Sequence, residues 1–496
     1  DSRTFAKLST DRPYTCQLTS SFVMNILQVS SEVFPYSKTG GLGDAIASLA
    51  KAQAETGHHV TIATPLYKGI HEKFKYLEPI GIELSIVIGR KEKTVKIWRL
   101  KPSKNLTILF LDQSDFFERN SIYGQKDDAE RFIFFSKAVA QLASLRSSSF
   151  EIVHAHDWPS ALVIPLLSIH PGNIKKIFTV HNAAYQGRFS GDKFELTGLP
   201  KAFFNWKQME FYNDINLLKG GIIFADLVTT VSPQYAKEII SPEYGFGLEG
   251  VFKAKGNKMV GVLNGVDYSE WNTINNRYLT APYSADSPNS KSVNKVTLQS
   301  ELGLIQQSEI PLFGNISRFT EQKGIDILIG AFELLLENGT IFQFAGLGSG
   351  DSSLEYAVKK LSERHPGQIT VRIGYDTRLA HIIEAGADFF VMPSRFEPCG
   401  LNQLYSLRYG TIPIVRATGG LENSIIDFRL GDAIGTGIKF FDPSPRALSE
   451  VLDLAITLYH DKNRLEKVRD NGMRADFSWN RTITDYDRLY KSINHP

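Results

Sequence analysis

Two series of short apolar runs constrain this chain more than anything else in it; each run ends in a glycine- or proline-bearing turn and is followed by residues at helical spacing. In the first series the run 25–30 breaks at Pro35 and at the glycine cluster 38–44. Ile46, Leu49, Ala50, Ala52 and Gln53 then continue as a helix to Gly57, before a second run at 60–64. Strand, helix and strand in that order predict a parallel βαβ unit, because parallel neighbours need a crossover. Runs at 107–111, 152–154, 176–180 and 227–231, with a helical stretch at 129–145, extend the series. The second series has strands at 310–316, 341–345, 369–373, 387–393 and 413–415, and helices at 325–337 and 354–364. Alternation of this kind predicts an α/β fold of two Rossmann-like, doubly wound parallel-sheet domains.

Between the two series, residues 268–309 are rich in Asn, Ser, Thr and Pro with few apolar anchors. We assign them to the interdomain crossing, which gives domains at 24–267 and 310–478. Residues 1–23 read as a polar, flexible extension, and 479–496 as a C-terminal helix, centred on 483–493, free to pack back on the first domain. A chain of 496 residues is too long for one core, and its 42% apolar and 22% charged content is that of a soluble protein. A net charge of +2 with no cationic run excludes a nucleic-acid partner, and no apolar stretch is long enough to span a bilayer. Cys16 and Cys399 are the only cysteines, which fits a reducing compartment. The chain opens on Asp1 instead of Met, so a preceding segment is expected to have been removed or omitted.

The turn best suited to chemistry follows the run 387–393. Pro393 stops the strand, and Leu401, Leu404, Tyr405 and Arg408 resume at helical spacing. The backbone N–H groups from Cys399 to Asn402 are therefore expected free at a helix N-terminus. Glu397 then stands at a strand's carboxyl end, where open α/β sheets bind ligands, and Gly400 lets oxygen atoms approach the backbone. Such a carboxylate either accepts hydrogen bonds from a polyol or, equally, caps the helix under the pull of its dipole. Gly40 and Gly41 sit in a similar strand-to-helix turn, where glycine permits positive φ and close approach, and Lys38 adds a charge. Arg318 and Lys323, five residues apart, suit a pyrophosphate or, as readily, point to solvent. Thr418-Gly419-Gly420-Leu421 gives the second domain a glycine pair of its own. In the first domain His154-Ala155-His156-Asp157-Trp158 and Thr179-Val180-His181-Asn182 each follow a strand. His154 and His156 lack a third ligand at a familiar spacing, so both are taken as structural and no metal is expected. Asp157 and His181 are taken to face a sugar.

These segments belong to a longer ordered set. KTGGLGD from Lys38, HAHDW from His154, TVHNAAYQG from Thr179, LLKGGIIFAD from Leu217, TTVSPQYAKEI from Thr229, YGFGLEG from Tyr244, NGVDYSEWN from Asn264, SRFTEQKG from Ser317, SRFEPCGLNQLYSLRYG from Ser394 and TGGL from Thr418 follow one another. From about Met24 to its C-terminus the chain resembles the bacterial glycogen synthase and plant starch synthase family. That resemblance implies a GT-B glycosyltransferase, its two domains facing a cleft. Such an enzyme moves glucose from ADP-glucose, or alternatively UDP-glucose, to the non-reducing end of an α-1,4-glucan or maltooligosaccharide, with retention and with no metal or other cofactor. It implies that Lys38, Arg318 and Lys323 bind the donor's phosphates, that Gly41, Gly419, Gly420 and Leu421 supply backbone around them, and that Tyr375 stacks on the base. Asp157, Asn182, Glu397, Cys399 and Gly400 would hold the glucosyl unit with His181 near its anomeric carbon, and Gly40, Asp44, Leu401, Gln403 and Thr418 join the substrate-binding set. The compartment implied is the plastid, stroma or starch granule, for a plant or alga, and the cytoplasm for a bacterium. Two departures stand out: HNAAYQG replaces the usual HNLAYQG, and Glu422-Asn423-Ser424 follows TGGL where the family places x-Asp-Thr.

A nucleoside diphosphate is already a good leaving group, so the chemistry asks for stabilisation of its charge more than for an acid. Retention is expected by front-face attack, since no second carboxylate is evidently placed as a nucleophile. A GT-B enzyme acting on sucrose or a small acceptor, and a silent glucan-binding homologue, are the rival readings; Lys38, Arg318, Lys323 and Glu397 argue against the second. Cys399, expected at a helix N-terminus, should have a lowered pKa and be the more reactive cysteine, with a bond to Cys16 less favoured than two free thiols. Lys38 and Lys323 come from different domains, so Lys38→Ala and Lys323→Ala should each weaken nucleotide-sugar use, and together non-additively. Initial rates over a range of donor concentrations check this, and a double variant whose loss equals the product of the single losses would separate the two lysines.

Overall fold

Strands covered by helices on both faces are apolar along their whole length. Ile26 to Val29 and Phe389 to Met392 are buried at every position. In a computed structural model that describes residues 23–145, 147–169, 172–431 and 433–494, such runs assemble into two large sheets. The first has the order Met259–Gly261, Leu227–Thr230, Lys175–Val180, Ile152–His156, Asn25–Val29, His59–Pro65, Leu106–Asp112, Lys91–Ser103 and Glu78–Ile88. Its strands run parallel up to Leu106–Asp112, and the last two pair antiparallel at the edge. The second sheet is parallel throughout, in the order Ile369–Ile373, Gln343–Gly350, Leu312–Phe319, Phe389–Met392, Ile412–Arg416 and Ile438–Phe440.

Both orders reverse direction once. In the first sheet the chain builds outward from Asn25–Val29 and then returns to its other side with Ile152–His156. In the second it leaves Leu312–Phe319 in one direction and returns beside it with Phe389–Met392. Loops leaving two such neighbouring strands part from each other and open a crevice beyond the carboxyl ends. The loops at these points carry Lys38 and Asp157 in the first domain, and Lys323 and Glu397 in the second.

The edge hairpin 78–103 was not among the expected strands. It alternates, with Leu84, Ile86, Ile88, Val95 and Ile97 buried and Ser85, Val87 and Lys96 exposed between them, and Gly89 at φ +61° turns it. A search for continuous apolar runs passes over that period-two pattern. The expected crossing at 268–309 also differs. Its helix Lys291–Leu302 packs on Thr377–Gly386, Lys291 Nζ donates to Ala385 O and Thr411 Oγ1, and Lys295 Nζ pairs with Asp388 at 2.7 Å. Trp271 lies flat between Tyr405, at 3.7 Å, and His381, at 4.1 Å. Polar anchors and one aromatic stack thus build this stretch into the second domain. The chain crosses nearer Val266, whose N–H donates to Phe477 O at 2.7 Å, so the outgoing and returning strands lie side by side.

The returning strand leads into the last helix, Trp479–Asn494. Trp479, Ile483, Tyr486 and Tyr490, spaced four, three and four apart, form one buried face against Met24, Ile26, Leu49 and Ile177 of the first domain. Ile483→Ala should therefore cost about 2–5 kcal/mol, felt in the first domain. Hydrogen exchange checks it: Asn25–Val29 should lose protection while Gln343–Gly350 keeps it.

Candidate active site

Glu397 is buried, and its Oε2 accepts from Ser394 Oγ at 3.0 Å and pairs with Lys323 Nζ at 2.5 Å. Its Oε1 has no hydrogen-bond partner among the described residues. The loop carrying it is held by the glycine pair: Gly419 has φ +46°, and a Cβ there would lie 2.0 Å from Glu397 O, while one at Gly420 would lie 2.0 Å from Cys399 O. These glycines serve the contact of loop with loop, which corrects the expectation that they offer backbone to a ligand. Gly419 N–H donates to both carboxylate oxygens of Glu238, at 2.9 and 3.1 Å, Gly420 N–H to Glu397 O and Leu421 N–H to Thr418 O. Thr418 Oγ1 also faces Glu238, and Leu421 is in the core. Gln403 is likewise buried and donates to Cys399 O, Gly400 O and Ser424 Oγ, so it holds the loop and not a sugar. The N–H groups of Cys399, Gly400, Leu401 and Asn402, by contrast, meet no protein acceptor among the described residues.

Cys399 departs from expectation too. Its thiol is buried and burial pushes its pKa up to about 12, against the backbone N–H of Asn264, which works to lower it. Desolvation outweighs the helix terminus, and the thiol is inert instead of activated. Cys16 lies outside the described residues.

On the first domain's wall Lys38 pairs with Asp44 at 2.6 Å, and the Tyr375 hydroxyl of the second domain lies beside it. Gly40 is extended and not in the positive-φ region, and its N–H, with that of Thr39, is taken by the buried carboxylate of Glu32. Close approach is what matters at Gly41: a Cβ there would lie 3.3 Å from Leu401 Cδ1, across the cleft. Asp157 caps the turn after Ile152–His156 at φ 55° and ψ 176°, a region that costs on the order of 1–3 kcal/mol for a residue with a side chain. Its Oδ1 accepts from His181 N at 2.7 Å and Asn182 N at 3.4 Å, which ties the two loops together. His181 Nε2 is 3.1 Å from His156 Nδ1, and His154 and His156 are occupied by Tyr490, Thr179 and Gln28. Burial drives His154 and His181 down to about 3, so both are neutral. Among the described residues no group of three or more His, Cys, Asp or Glu is arranged to hold a metal.

The two walls meet. Arg318 Nη1 reaches Tyr185 Oη at 3.3 Å, Ser232 Oγ donates to Pro398 O at 2.6 Å, and Gln234 N–H donates to Asn423 Oδ1 at 2.7 Å. Asn423 thus faces the other domain, and Glu422 pairs with Lys439, so the departure after TGGL alters the interface and not a phosphate loop. Tyr375 remains 77% exposed, its ring free to stack. Sequence reasoning missed Glu32, Tyr185 and Glu238. Tyr185 and Glu238 lie inside the quoted motifs, but only the fold shows that they face across domains.

Burial lifts the Asp157 carboxyl to about 7, against the N–H bonds from His181 and Asn182. An acid whose pKa is higher folded than unfolded takes up a proton on folding. Its contribution is complete below its unfolded pKa of about 4 and is lost as the pH rises through about 7. Asp157→Asn, which keeps an acceptor for His181, should remove that slope and gain on wild type by on the order of a few kcal/mol between pH 4 and 8. Urea midpoints across that range check it, and parallel curves would show that Asp157 folds ionised.

With this geometry in place, the chain's relatives can be compared. Residues 25–254 match the model of the starch synthase catalytic domain, and 305–474 that of the group 1 glycosyl transferases. The glycogen synthase of Koribacter versatilis is 41% identical over 479 residues, covering 94% of this chain and 98% of the relative. That of Myxococcus xanthus is 41% identical over 482 residues, with 95% and 99% covered. The solved catalytic domain of starch synthase IV from Arabidopsis thaliana, bound to ADP and acarbose, superposes with a TM-score of 0.88 at 32% identity, over 96% of this chain and all of that one. Sucrose-phosphate synthase from Thermosynechococcus elongatus, at 18% identity and a TM-score of 0.62, shares the fold. The chain belongs to the glycogen and starch synthase family of GT-B glycosyltransferases.

Proposed function

We propose that this enzyme transfers glucose from ADP-glucose to the non-reducing end of an α-1,4-glucan, with retention of configuration and without a metal. The observation that carries the reading is the meeting of the two reversal points of the sheets, with Gly41 against Leu401 and Lys38 beside Tyr375. The ADP in the starch synthase IV neighbour supports the choice of donor. In three of the strand-end turns the protein's own carboxyl groups, Glu32, Glu238 and Asp157, already engage N–H groups. The unpaired N–H groups at 399–402 are left for the diphosphate, flanked by Arg318 and Lys323.

In this reading the leaving phosphate is stabilised by fixed N–H dipoles and cations inside a closed cleft, where such contacts are stronger than in water. The departing phosphate takes the acceptor's proton, so no protein acid is needed. Glu397 and the His181 backbone carbonyl face the sugar as positive charge develops on it, and closure keeps out water, the competing acceptor. Lys323 acts twice, on the phosphate and on the orientation of Glu397.

Glu397→Gln keeps the shape of the side chain and removes its charge. It should lower kcat by on the order of 10²-fold or more, with the melting temperature unchanged. Wild-type turnover would reduce Glu397 to a helix cap. Transfer of labelled glucose from ADP-glucose and UDP-glucose to a maltooligosaccharide primer tests the donor, and equal or faster use of UDP-glucose would overturn the assignment to ADP.

A further inference from the structure

Gln28, His154, His156 and Tyr490 stand behind the first-domain wall, take no part in the chemistry above, and are each at most 1% exposed. Polar groups so deeply buried rigidify a core when every donor has an acceptor. Counting protons shows that these do. Gln53 Nε2 donates to Tyr490 Oη at 2.9 Å and Gln28 Nε2 to the same oxygen at 3.4 Å, so the phenol gives its one proton to His154 Nδ1 at 2.8 Å. Gln53 Oε1 accepts from Gln28 Nε2 at 2.8 Å, which turns Gln28 Oε1 toward His156 Nε2 at 2.7 Å. That nitrogen therefore carries a proton. Burial holds His156 neutral, with His154 and His181 adding to the effect, so its Nδ1 is bare and accepts from His181 Nε2 at 3.1 Å. The chain of donors starts at His181, whose own backbone N–H is fixed by Asp157.

We propose that Gln28, His156 and Tyr490 are positioning residues for glucosyl transfer: through this chain they lock the His181 ring in its neutral Nε2–H form beside the reacting carbon. The inference rests on His181 lining the transfer site. A charged ring would oppose the positive charge that develops on the sugar. Tyr490 lies on the helix that follows the chain's return from the second domain, so it acts on the cleft only through its neighbours.

The test uses the full chain, labelled with ¹⁵N in its histidine rings. In the wild type His181 should give a single neutral Nε2–H signal, and an Nδ1–H or mixed ring overturns the proposal whether or not any variant folds. Tyr490→Phe and Gln28→Met each break the chain while keeping most of the volume. Each should lower kcat by about 10- to 100-fold with the KM for the nucleotide sugar nearly unchanged, and should mix the His181 tautomers. Wild-type kcat in a folded variant overturns the proposal, and so does a fall in kcat with an unchanged ring signal, which marks lost packing alone. Because the ring signal is read without turnover, its failure is distinguishable from a wrong assignment of donor.

Discussion

Two turns of the second domain touch at a distance that admits no side chain, and the site is arranged around that contact. Gly419 and Gly420 lie so close to the carbonyls of Glu397 and Cys399 that a methyl group at either would sit 2.0 Å from an oxygen. The contact fixes the Glu397 loop, whose carboxylate pairs with Lys323 and whose N–H groups at 399–402 meet no protein acceptor among the described residues. Gln403 ties the same loop from below through two of its carbonyls. A glycine pair that resembles a phosphate cradle in sequence is thus an internal joint between two loops.

The same economy governs the first domain. N–H groups at strand ends attract anions, and an unpaired anion site in a cleft binds whatever arrives. Glu32 at Thr39 and Gly40, Asp157 at His181 and Asn182, and Glu238 at Gly419 fill those places from within. Asp157 and Glu238 come from different elements from the N–H groups they engage, so those bonds join two loops, while Glu32 folds the 30–40 connection back on itself. Which N–H groups stay open in the cleft is thus set by these carboxylates, not by how many glycines line it.

How legible this was depends on the range of the forces. The helix Ile325–Glu337 and the strand Ile369–Ile373 have the bounds their sequence predicts, since burial on fixed faces leaves a local period. The hairpin 78–103 is half solvated and charged along one face, and 268–309 is anchored by Lys291, Lys295 and Trp271, residues that a count of apolar anchors ignores or under-weights. Candidate residues Lys38, Asp157, His181, Lys323 and Glu397 all follow the carboxyl ends of strands, and of these the structure pairs Lys323 with Glu397 and Asp157 with His181. Their partners are tertiary: nothing near Cys399 in sequence says that its thiol is desolvated, and nothing near Thr418 says that Glu238 will face it.

Catalysis on a polymer requires that the closed cleft reopen, and the distribution of contacts suits that cycle. Besides the apolar contacts of Phe246 with Phe396 and of Cys399 and Leu401 with the first domain's core, the bonds that cross it are polar, among them Arg318 to Tyr185, Ser232 to Pro398, Gln234 to Asn423, Arg416 to Tyr244 and Glu238 to Thr418 and Gly419. A neutral bond among these has a net worth of about 0.5–1.5 kcal/mol, and those of the charged Arg318, Arg416 and Glu238 about 1.5–3 kcal/mol. The covalent links are the two strands that pair at Val266 and Phe477, beside Gly265, where a Cβ would lie 2.7 Å from Trp479 N. So close a join makes the start of the last helix part of the hinge, while the buried face of that helix belongs to the first domain. The last helix thus packs as part of the first domain, and the buried chain from Tyr490 to His181 lies within that domain and does not cross the cleft. The cleft can part and close while the histidine at its wall keeps one orientation.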